Sequence, residues 1–335
     1  MSSVTYEKVG VLGAGAWGTA LAAAMVRANR ETLLWAREEE VVETINTHHE
    51  NTLFLKGVAL DPKLKATGLL EDLSECDAIL MVSPAQHLRS SVISLKPYLK
   101  TDCPLIICSK GIEVTTGKLM SDVMAEVAPK QPFAILSGPT FAAEVVRGQF
   151  SAITLACEDE KLGNDLMDAI GTVNFRPYLS TDVIGSQIGG AVKNVLAIAT
   201  GIAAGLDMGE NTRAAVITRG LAEMVRFAAS YGAENDTLMG LSGLGDLLLT
   251  CSSTQSRNMS LGKALGEGQT FSDYMADKLS VAEGAHTVKI LHKIAVDRKI
   301  SMPITEAVYR IIVDGEPVSD VFDELVNRPF TREDE

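Results

Sequence analysis

Lys193 is the one charged residue in the apolar run from 183 to 206, and its position is suited to moving a proton. Burying an ammonium group there is costly unless the charge is partnered or partly neutralised. A lone mid-helix lysine usually extends its charged end to solvent, which is the alternative. Gly189 and Gly190, one turn earlier, are expected to leave room for a ligand, and Asn194 adds a hydrogen-bonding group. The pattern therefore predicts a lysine that exchanges a proton with a bound substrate.

A polar run from 251 to 258 ends in Ser256, Arg257 and Asn258 and leads into a helical pattern. Hydroxyls, a guanidinium and the amides of a helix N-terminus together can hold a phosphate group. Ordinary N-capping explains the serines and threonines of the run equally well. Both interpretations stay open on these residues alone.

The clearest motif is Gly13-Ala-Gly15-Ala-Trp-Gly18, which follows an apolar strand pattern and opens an alanine-rich helix. In this context Gly13 permits a tight turn, Gly15 lets the backbone approach a pyrophosphate, and Gly18 lets the helix pack on the strand. The alternative is a glycine-containing turn with no ligand. The strand before the motif and the helix after it favour dinucleotide binding.

Arg37 lies where an NAD-specific protein usually has an acidic residue that binds the ribose hydroxyls, about 20 residues after the glycine motif. A guanidinium there can pair with a 2′-phosphate or stack on adenine, which favours NADPH over NADH. The acidic residues from Glu38 to Glu40 could instead bind the ribose, and Arg37 could simply be solvated. The sequence predicts either nicotinamide cofactor, with NADPH favoured.

Other distinctive residues follow predicted strands, and ligands of open parallel sheets gather at the carboxyl ends of the strands. They are Ser83-Pro84, Lys110 and the segment Gly138-Pro-Thr140. A single lysine at a strand end is more often only solvated. Lys110 becomes a stronger candidate for ligand binding because the other residues fall at the same edge of the predicted sheet.

The elements that position these residues alternate between strand and helix patterns up to about residue 180. The predicted strands are Lys8–Leu12, Thr32–Trp35, Ala78–Val82, Leu105–Cys108, Phe133–Leu136 and Ala152–Ala156. After Thr181 the periodicity is helical, notably over 183–206, 213–231 and 302–313. The predicted fold is an α/β Rossmann-type doubly wound sheet (1–180) followed by an all-α C-terminal domain (181–335).

Composition limits the partners of this 335-residue chain, which is long enough for two domains. Its formal charge of −13, without a basic run, argues against nucleic acid and anionic membranes as partners. The uncharged stretch between Lys8 and Arg27 lacks the basic flank of a signal peptide and contains glycines that a membrane span would not favour. A small-molecule substrate is therefore expected.

The five cysteines form no Cys-x-x-Cys pair, which is typical of buried thiols in a reducing compartment. They are Cys76, Cys103, Cys108, Cys157 and Cys251. The adjacent His48 and His49 have no cysteine or carboxylate cluster near them in sequence, so a polar surface loop is favoured over a metal site. We expect no metal and a cytoplasmic location.

Taken in order, these motifs resemble the bacterial NAD(P)-dependent glycerol-3-phosphate dehydrogenases over nearly the whole chain. The matching segments are 13–22, 109–113, 136–142, 188–197, 205–213, 243–247, 256–258, 281–284 and 302–306. The resemblance implies reversible hydride transfer between NAD(P)H and dihydroxyacetone phosphate, giving sn-glycerol 3-phosphate for glycerophospholipid synthesis. It also implies a homodimer, and it makes phosphate the better interpretation of Ser256, Arg257 and Asn258.

By the same resemblance, particular positions acquire roles. The cofactor is expected to contact Gly13, Gly15, Ala16, Trp17, Gly18, Arg37, Lys110, Ala142, Arg257, Val281 and Glu283. The substrate is expected to contact Lys110, Gly138, Thr140, Lys193, Asp246, Ser256, Arg257 and Asn258. Lys193 matches the proton-transfer group of the family, and our own expectation is that Lys110 and Asp246 assist it.

Two departures from common family members concern the cofactor. Ala16-Trp17 stands where Ser-Tyr is frequent, and Arg37 stands where His or another Arg occurs. Neither change touches the reaction, but both leave the balance between NADPH and NADH open.

Two rival functions share parts of the pattern: a dehydrogenase of 3-hydroxy acids, which would need a carboxylate clamp, and a non-catalytic dinucleotide sensor.

Overall fold

The computed structural model describes residues 6–276, 282–329 and 332. It contains eight strands: β1 Lys8–Leu12, β2 Glu31–Trp35, β3 Lys65–Thr67, β4 Ala78–Met81, β5 Leu105–Ile107, β6 Phe133–Ser137, β7 Ser151–Ala156 and β8 Phe175–Ser180. All six predicted strands are confirmed, each to within one residue at either end. Two strands, β3 and β8, were not predicted from the sequence.

The strands form one sheet in the order β3-β2-β1-β4-β5-β6-β7-β8. Neighbouring strands are parallel except β6 and β7, which pair antiparallel, so the sheet is mostly and not wholly parallel. The order reverses beside β1, which pairs with both β2 and β4. This reversal is the topological switch point at which doubly wound sheets bind ligands.

The helices are α1 Ala16–Arg27, α2 Glu39–His48, α3 Leu88–Leu95, α4 Met120–Val127, α5 Ala142–Val145, α6 Glu160–Ile170, α7 Val183–Gly205, α8 Gly209–Ala229, α9 Asn235–Met239, α10 Asp246–Cys251, α11 Arg257–Gly266, α12 Phe271–Ala276, α13 Glu283–Arg298, α14 Pro303–Tyr309 and α15 Val318–Val326. Short 3₁₀ segments lie at 70–75, 85–87 and 96–98, and π-helical segments at 241–245 and 310–314. In the described part of the chain after residue 180, every regular element is helical, as predicted.

Side chains of the sheet alternate between two hydrophobic cores. In β4, Ala78 and Leu80 belong to the core shared with α1, whereas Ile79 and Met81 belong to the core shared with α3 and α4. Alternation with a period of two is expected of a strand buried on both faces. Helices therefore cover both faces of the sheet, which confirms the doubly wound architecture.

The chain forms two compact units, one of residues 1–190 and 236–246 and the other of 191–235 and 247–335. The division falls inside α7, not at its start, and the domain boundary expected at 180/181 stays a prediction. By length and composition α7 could cross a membrane, but 83% of its most apolar window is buried within the protein. It is therefore a core helix by its packing.

In the second unit, α7 and α11 cross with their backbones in contact. A Cβ atom added to Gly201 would lie 2.2 Å from the carbonyl oxygen of Met259, and one added to Gly262 would lie 2.0 Å from that of Ile198. Gly205 and Gly266 meet in the same way one turn further on. These glycines fix the depth at which α11 packs on α7.

Glu223 of α8 is buried in the same unit and receives hydrogen bonds at the start of α14. Its carboxylate accepts from the amides of Ile304 and Thr305 and from the Thr305 hydroxyl. Burial nevertheless raises the pKa of Glu223 to about 7, because loss of water disfavours the charged form more than these three donors favour it.

This raised pKa predicts a pH dependence of stability. Between the ordinary carboxyl pKa of 4.5 and about 7, the folded state holds a proton that the unfolded state releases. The free energy of unfolding should therefore fall by roughly 3 kcal/mol as pH rises through this window and then level off. Thermal unfolding of Glu223→Gln at pH 5 and pH 8 should lack this fall, whereas Glu306→Gln, at an exposed position on α14, should retain it. An unchanged pH dependence in Glu223→Gln would contradict the assignment.

Candidate active site

The turn between β1 and α1 has the geometry that a dinucleotide requires. Gly13 has φ +115°, in the region that favours glycine, and a Cβ at Gly18 would lie 1.7 Å from the Gly13 carbonyl oxygen. Gly15 is exposed, and no atom lies within 4 Å of the position that its Cβ would take. The N-cap of α1 has no side-chain hydrogen bond. The turn therefore offers open space and available amides at a helix N-terminus, which fits a pyrophosphate.

Ala16 and Trp17 begin α1 next to this turn and are half-buried. Trp17 and Ala142 pack against the same hydrophobic core of the first unit. Arg27 at the end of α1 donates to the carbonyl oxygens of Val145 and Val146, which fixes the end of α5 against α1. The structure thus places two predicted cofactor positions, Ala16 and Trp17, on α1 and a third, Ala142, on α5, which packs beside α1.

Arg37 follows β2 and is exposed, and its guanidinium donates to Glu38 Oε1 at 2.7 Å through Nη2 and 3.1 Å through Nε. Glu38 precedes α2. The basic and the acidic candidates for the adenosine end of the cofactor therefore form an ion pair with each other. The geometry keeps both interpretations of the cofactor preference open.

Lys110, Gly138 and Asp246 come together in the first unit. Lys110 follows β5, and its Nζ donates to the Gly138 carbonyl at 3.1 Å and to Asp246 Oδ2 at 2.7 Å. The side chain of Asp246 is 1% exposed and that of Lys110 16%. Thr140 also contacts this group, because its hydroxyl donates to the Gly138 carbonyl. Lys110 is thus a partner in a buried ion pair and not a solvated strand-end lysine.

The π-helical segment 241–245 places Asp246 at the start of α10. π-Helical turns are rare and occur often at functional sites. A Cβ at Gly189 would lie 2.3 Å from the Ser242 carbonyl oxygen in this segment, and one at Gly190 would lie 3.0 Å from Ser137 Oγ. The expectation that Gly189 and Gly190 leave room for a ligand was therefore wrong. They are glycines because protein atoms fill that space.

Two buried hydroxyls at the carboxyl ends of strands have no hydrogen-bond partner within residues 6–276, 282–329 and 332. They are Ser83, after β4, and Ser137, at the end of β6. Buried hydroxyls are normally hydrogen-bonded, so these are candidates for contact with a bound ligand. Ser137 was not singled out in the sequence, where its position between an apolar strand and Gly138 was the available signal.

Lys193 is buried in the second unit, with 7% of the residue exposed. Its Nζ donates to Thr250 Oγ1 at 2.9 Å. The amine is therefore held inside the protein, and the solvent-reaching alternative is wrong. Thr250 was missed in the sequence, although it follows Asp246 by four residues in a helix, the spacing that places two side chains on one face.

Asn194, Asn258 and Gly284 form a buried chain of hydrogen bonds in the same unit. Asn258 Nδ2 donates to Asn194 Oδ1 at 3.0 Å, and Asn258 Oδ1 accepts from the Gly284 amide at 2.9 Å. Asn258 thus links α7, α11 and the first turn of α13, where Glu283 lies. Val281, also predicted to contact the cofactor, lies outside the described residues.

Ser256 caps α11, because its hydroxyl accepts from the Met259 amide at 3.3 Å. Arg257 is exposed at the first position of the helix. The N-capping interpretation is therefore correct for Ser256, and it leaves Arg257 and the remaining amides of the first turn for an anion. Among the residues that the structure describes, no group of three His, Cys, Asp or Glu side chains is arranged to hold a metal.

Comparison with known proteins covers both units. The family described as NAD-dependent glycerol-3-phosphate dehydrogenase matches with its N-terminal part at residues 8–163 and its C-terminal part at 182–323. The glycerol-3-phosphate dehydrogenase (NAD(P)+) of Parvibaculum lavamentivorans is 52% identical over 331 residues, 99% of each chain. That of Caulobacter vibrioides is 51% identical, covering 98% of this chain and 100% of its own. The crystal structure of the Coxiella burnetii enzyme matches with TM-score 0.91 and 36% identity over 96% of this chain and 99% of that chain.

Proposed function

Since the chain belongs to the NAD-dependent glycerol-3-phosphate dehydrogenase family, we propose that it interconverts dihydroxyacetone phosphate and sn-glycerol 3-phosphate with NAD(P)H. The observation that carries the proposal is the buried amine of Lys193, held by Thr250. A charged group inside a protein is costly, and keeping one is reasonable where it performs chemistry. The open glycine turn supplies the place for the cofactor.

The nicotinamide of the bound cofactor supplies a hydride to the ketone carbon. Lys193 donates a proton to the developing alkoxide in reduction and accepts the hydroxyl proton in oxidation. Lys110 and Asp246 bind and orient the substrate as an ion pair, together with Gly138 and Thr140. Ser256, Arg257 and Asn258 hold the phosphate.

The proposed cofactor contacts are Gly13, Gly15, Ala16, Trp17, Gly18, Arg37, Lys110, Ala142, Arg257, Val281 and Glu283. Support comes from the shape of the glycine turn and from the packing of Trp17 and Ala142 against the hydrophobic core to which Ala14 of this turn belongs. We further propose a cytoplasmic homodimer that supplies glycerophospholipid synthesis and has no nucleic-acid or membrane partner. The charge of −13 supports the last point.

Mixing the purified protein with NADPH and dihydroxyacetone phosphate, and following the absorbance of the reduced cofactor, tests the function. We expect oxidation of NADPH that depends on dihydroxyacetone phosphate. A dehydrogenase of 3-hydroxy acids would be inactive with this substrate but active with its own. A dinucleotide sensor would bind NADPH without turnover under any substrate tried.

Arg37→Gln should lower kcat/KM for NADPH by about tenfold and leave that for NADH nearly unchanged, because a charged hydrogen bond to the 2′-phosphate is lost. Glu38→Gln should shift the ratio of the two constants in the opposite direction, since it frees the guanidinium that Glu38 now pairs. Paired steady-state measurements with both cofactors check this. Equal losses with NADPH and NADH would show that Arg37 does not recognise the 2′-phosphate.

Arg257→Ala should raise the KM for dihydroxyacetone phosphate by roughly tenfold to a hundredfold, because a guanidinium contact to the phosphate is lost. Lys263→Ala serves as the control, since Lys263 is an exposed cation on the same helix, paired with Glu267. Its KM should equal that of the wild type. Unchanged saturation of Arg257→Ala by the substrate would remove Arg257 from the phosphate site.

A further inference from the structure

We propose that Asn51 is a positioning residue for the cofactor, fixing the direction of the Gly15 amide in the glycine turn. The inference rests on the proposed function in that it takes this turn as the binding site of the dinucleotide. Asn51 is far from the glycine motif in sequence, and no motif marks it. Its role emerges from the hydrogen bonds around it.

Asn51 follows α2 and is completely buried, at 0% exposure. Its Nδ2 donates to the carbonyl oxygen of Ala14 at 2.8 Å and to Thr19 Oγ1 at 2.8 Å. Its Oδ1 accepts from the Phe54 amide at 3.0 Å. Both amide hydrogens and the carbonyl of the side chain are therefore engaged, and two of the three bonds hold residues of the glycine turn and the first turn of α1.

The Ala14 carbonyl and the Gly15 amide belong to the same peptide unit. In a trans peptide they point to opposite sides of the chain, so the direction of one sets the direction of the other. Ala14 is buried and Gly15 is exposed. Asn51 holds the Ala14 carbonyl inward both directly and through the Thr19 hydroxyl, which donates to the same carbonyl. The Gly15 N–H, on the other side of the peptide, is thereby turned to the exposed side of the turn, where the pyrophosphate would lie.

Asn46 offers a matched control on α2. Its side chain also bridges backbone groups, donating to the Ala66 carbonyl at 2.9 Å and accepting from the Ala66 amide at 2.9 Å. These bonds hold β3 and involve no residue of the glycine turn. Loss of Asn46 should therefore cost stability without altering the direction of the Gly15 amide.

The test compares Asn51→Ala and Asn46→Ala by direct NADPH binding, followed by cofactor fluorescence. Asn51→Ala should weaken NADPH binding by at least about tenfold while kcat at saturating NADPH stays within about twofold. Hydrogen exchange of the Gly15 amide should slow on addition of NADPH in the wild type and not in Asn51→Ala. Asn46→Ala should bind NADPH as the wild type does, even where its Tm falls.

Asn51→Asp covers the case in which Asn51→Ala does not fold. It keeps the shape and the bond from Phe54, removes both donated bonds, and should weaken NADPH binding as well. Equal affinity of wild type and the folded Asn51 variant, or an equal loss in Asn46→Ala, would overturn the proposal. A wild type that binds NADPH but never turns over dihydroxyacetone phosphate would overturn the proposed function and leave this inference standing.

Discussion

Lys193→Met should lower kcat for reduction of dihydroxyacetone phosphate by about three orders of magnitude, which is the rate loss expected when a general acid is removed. Methionine fills nearly the same volume without the charge, so the buried position on α7 should tolerate it. NADPH affinity should stay within about twofold, because the glycine turn that would hold the cofactor is unaltered. Stopped-flow single turnovers, together with a direct NADPH titration, measure both quantities.

Thr250→Val separates the presence of the amine from its placement. This variant keeps Lys193 and removes the hydroxyl that accepts from its Nζ. We expect a smaller loss of kcat, about tenfold, since the proton donor remains but is held less firmly. A Lys193→Met enzyme with nearly normal turnover would exclude the amine from proton transfer.

Lys110→Met should reduce stability and activity together. It removes the ion pair that Lys110 forms with the Asp246 carboxylate, whose side chain is 1% exposed. Breaking a fully buried ion pair costs about 3 to 5 kcal/mol, and we expect a smaller loss here because 16% of the Lys110 side chain is exposed. We also expect kcat/KM for dihydroxyacetone phosphate to fall by at least about a hundredfold, because a cation that binds the substrate is lost.

Adding Asp246→Asn to Lys110→Met distinguishes the two effects. The double variant should regain much of the lost Tm, because the buried charge is gone, and regain none of the activity. Lys161→Met is the matched control, since Lys161 forms an exposed ion pair with Asp165, and its Tm should equal that of the wild type. Recovery of activity in the double variant would reduce the pair to a structural role.

The strands at the centre of the sheet could be predicted from the sequence, whereas the two strands at its edges could not. β1 was predicted with correct bounds because its apolar run ends at the glycines of the turn. β3 is too short to show a period, and β8 includes Arg176 and Pro177, residues that disfavour a central strand but suit an edge. The antiparallel pairing of β6 with β7 depends on the path of the connecting chain, which no local pattern reveals.

At the candidate site, local motifs were predictable and long-range contacts were not. The glycine turn is contiguous, so its residues and their roles could be read directly. The bond between Lys110 and Asp246 joins residues separated by 136 positions, and only the fold brings them together. Asn51 was missed for the same reason, and the glycines before Lys193 were misinterpreted because the packing against Ser242 leaves no trace in the local sequence.

The crossing of α7 and α11 has a practical consequence for engineering this protein. Replacing helical glycine by alanine is a common route to heat resistance, since it usually stabilises a helix by about 1 kcal/mol. At Gly201, Gly205, Gly262 and Gly266 an added methyl group would collide with a neighbouring main chain. Thermostabilisation libraries should therefore leave these four glycines unchanged. Alanine at any of them would push α7 and α11 apart and move Asn258 away from its hydrogen-bond partners.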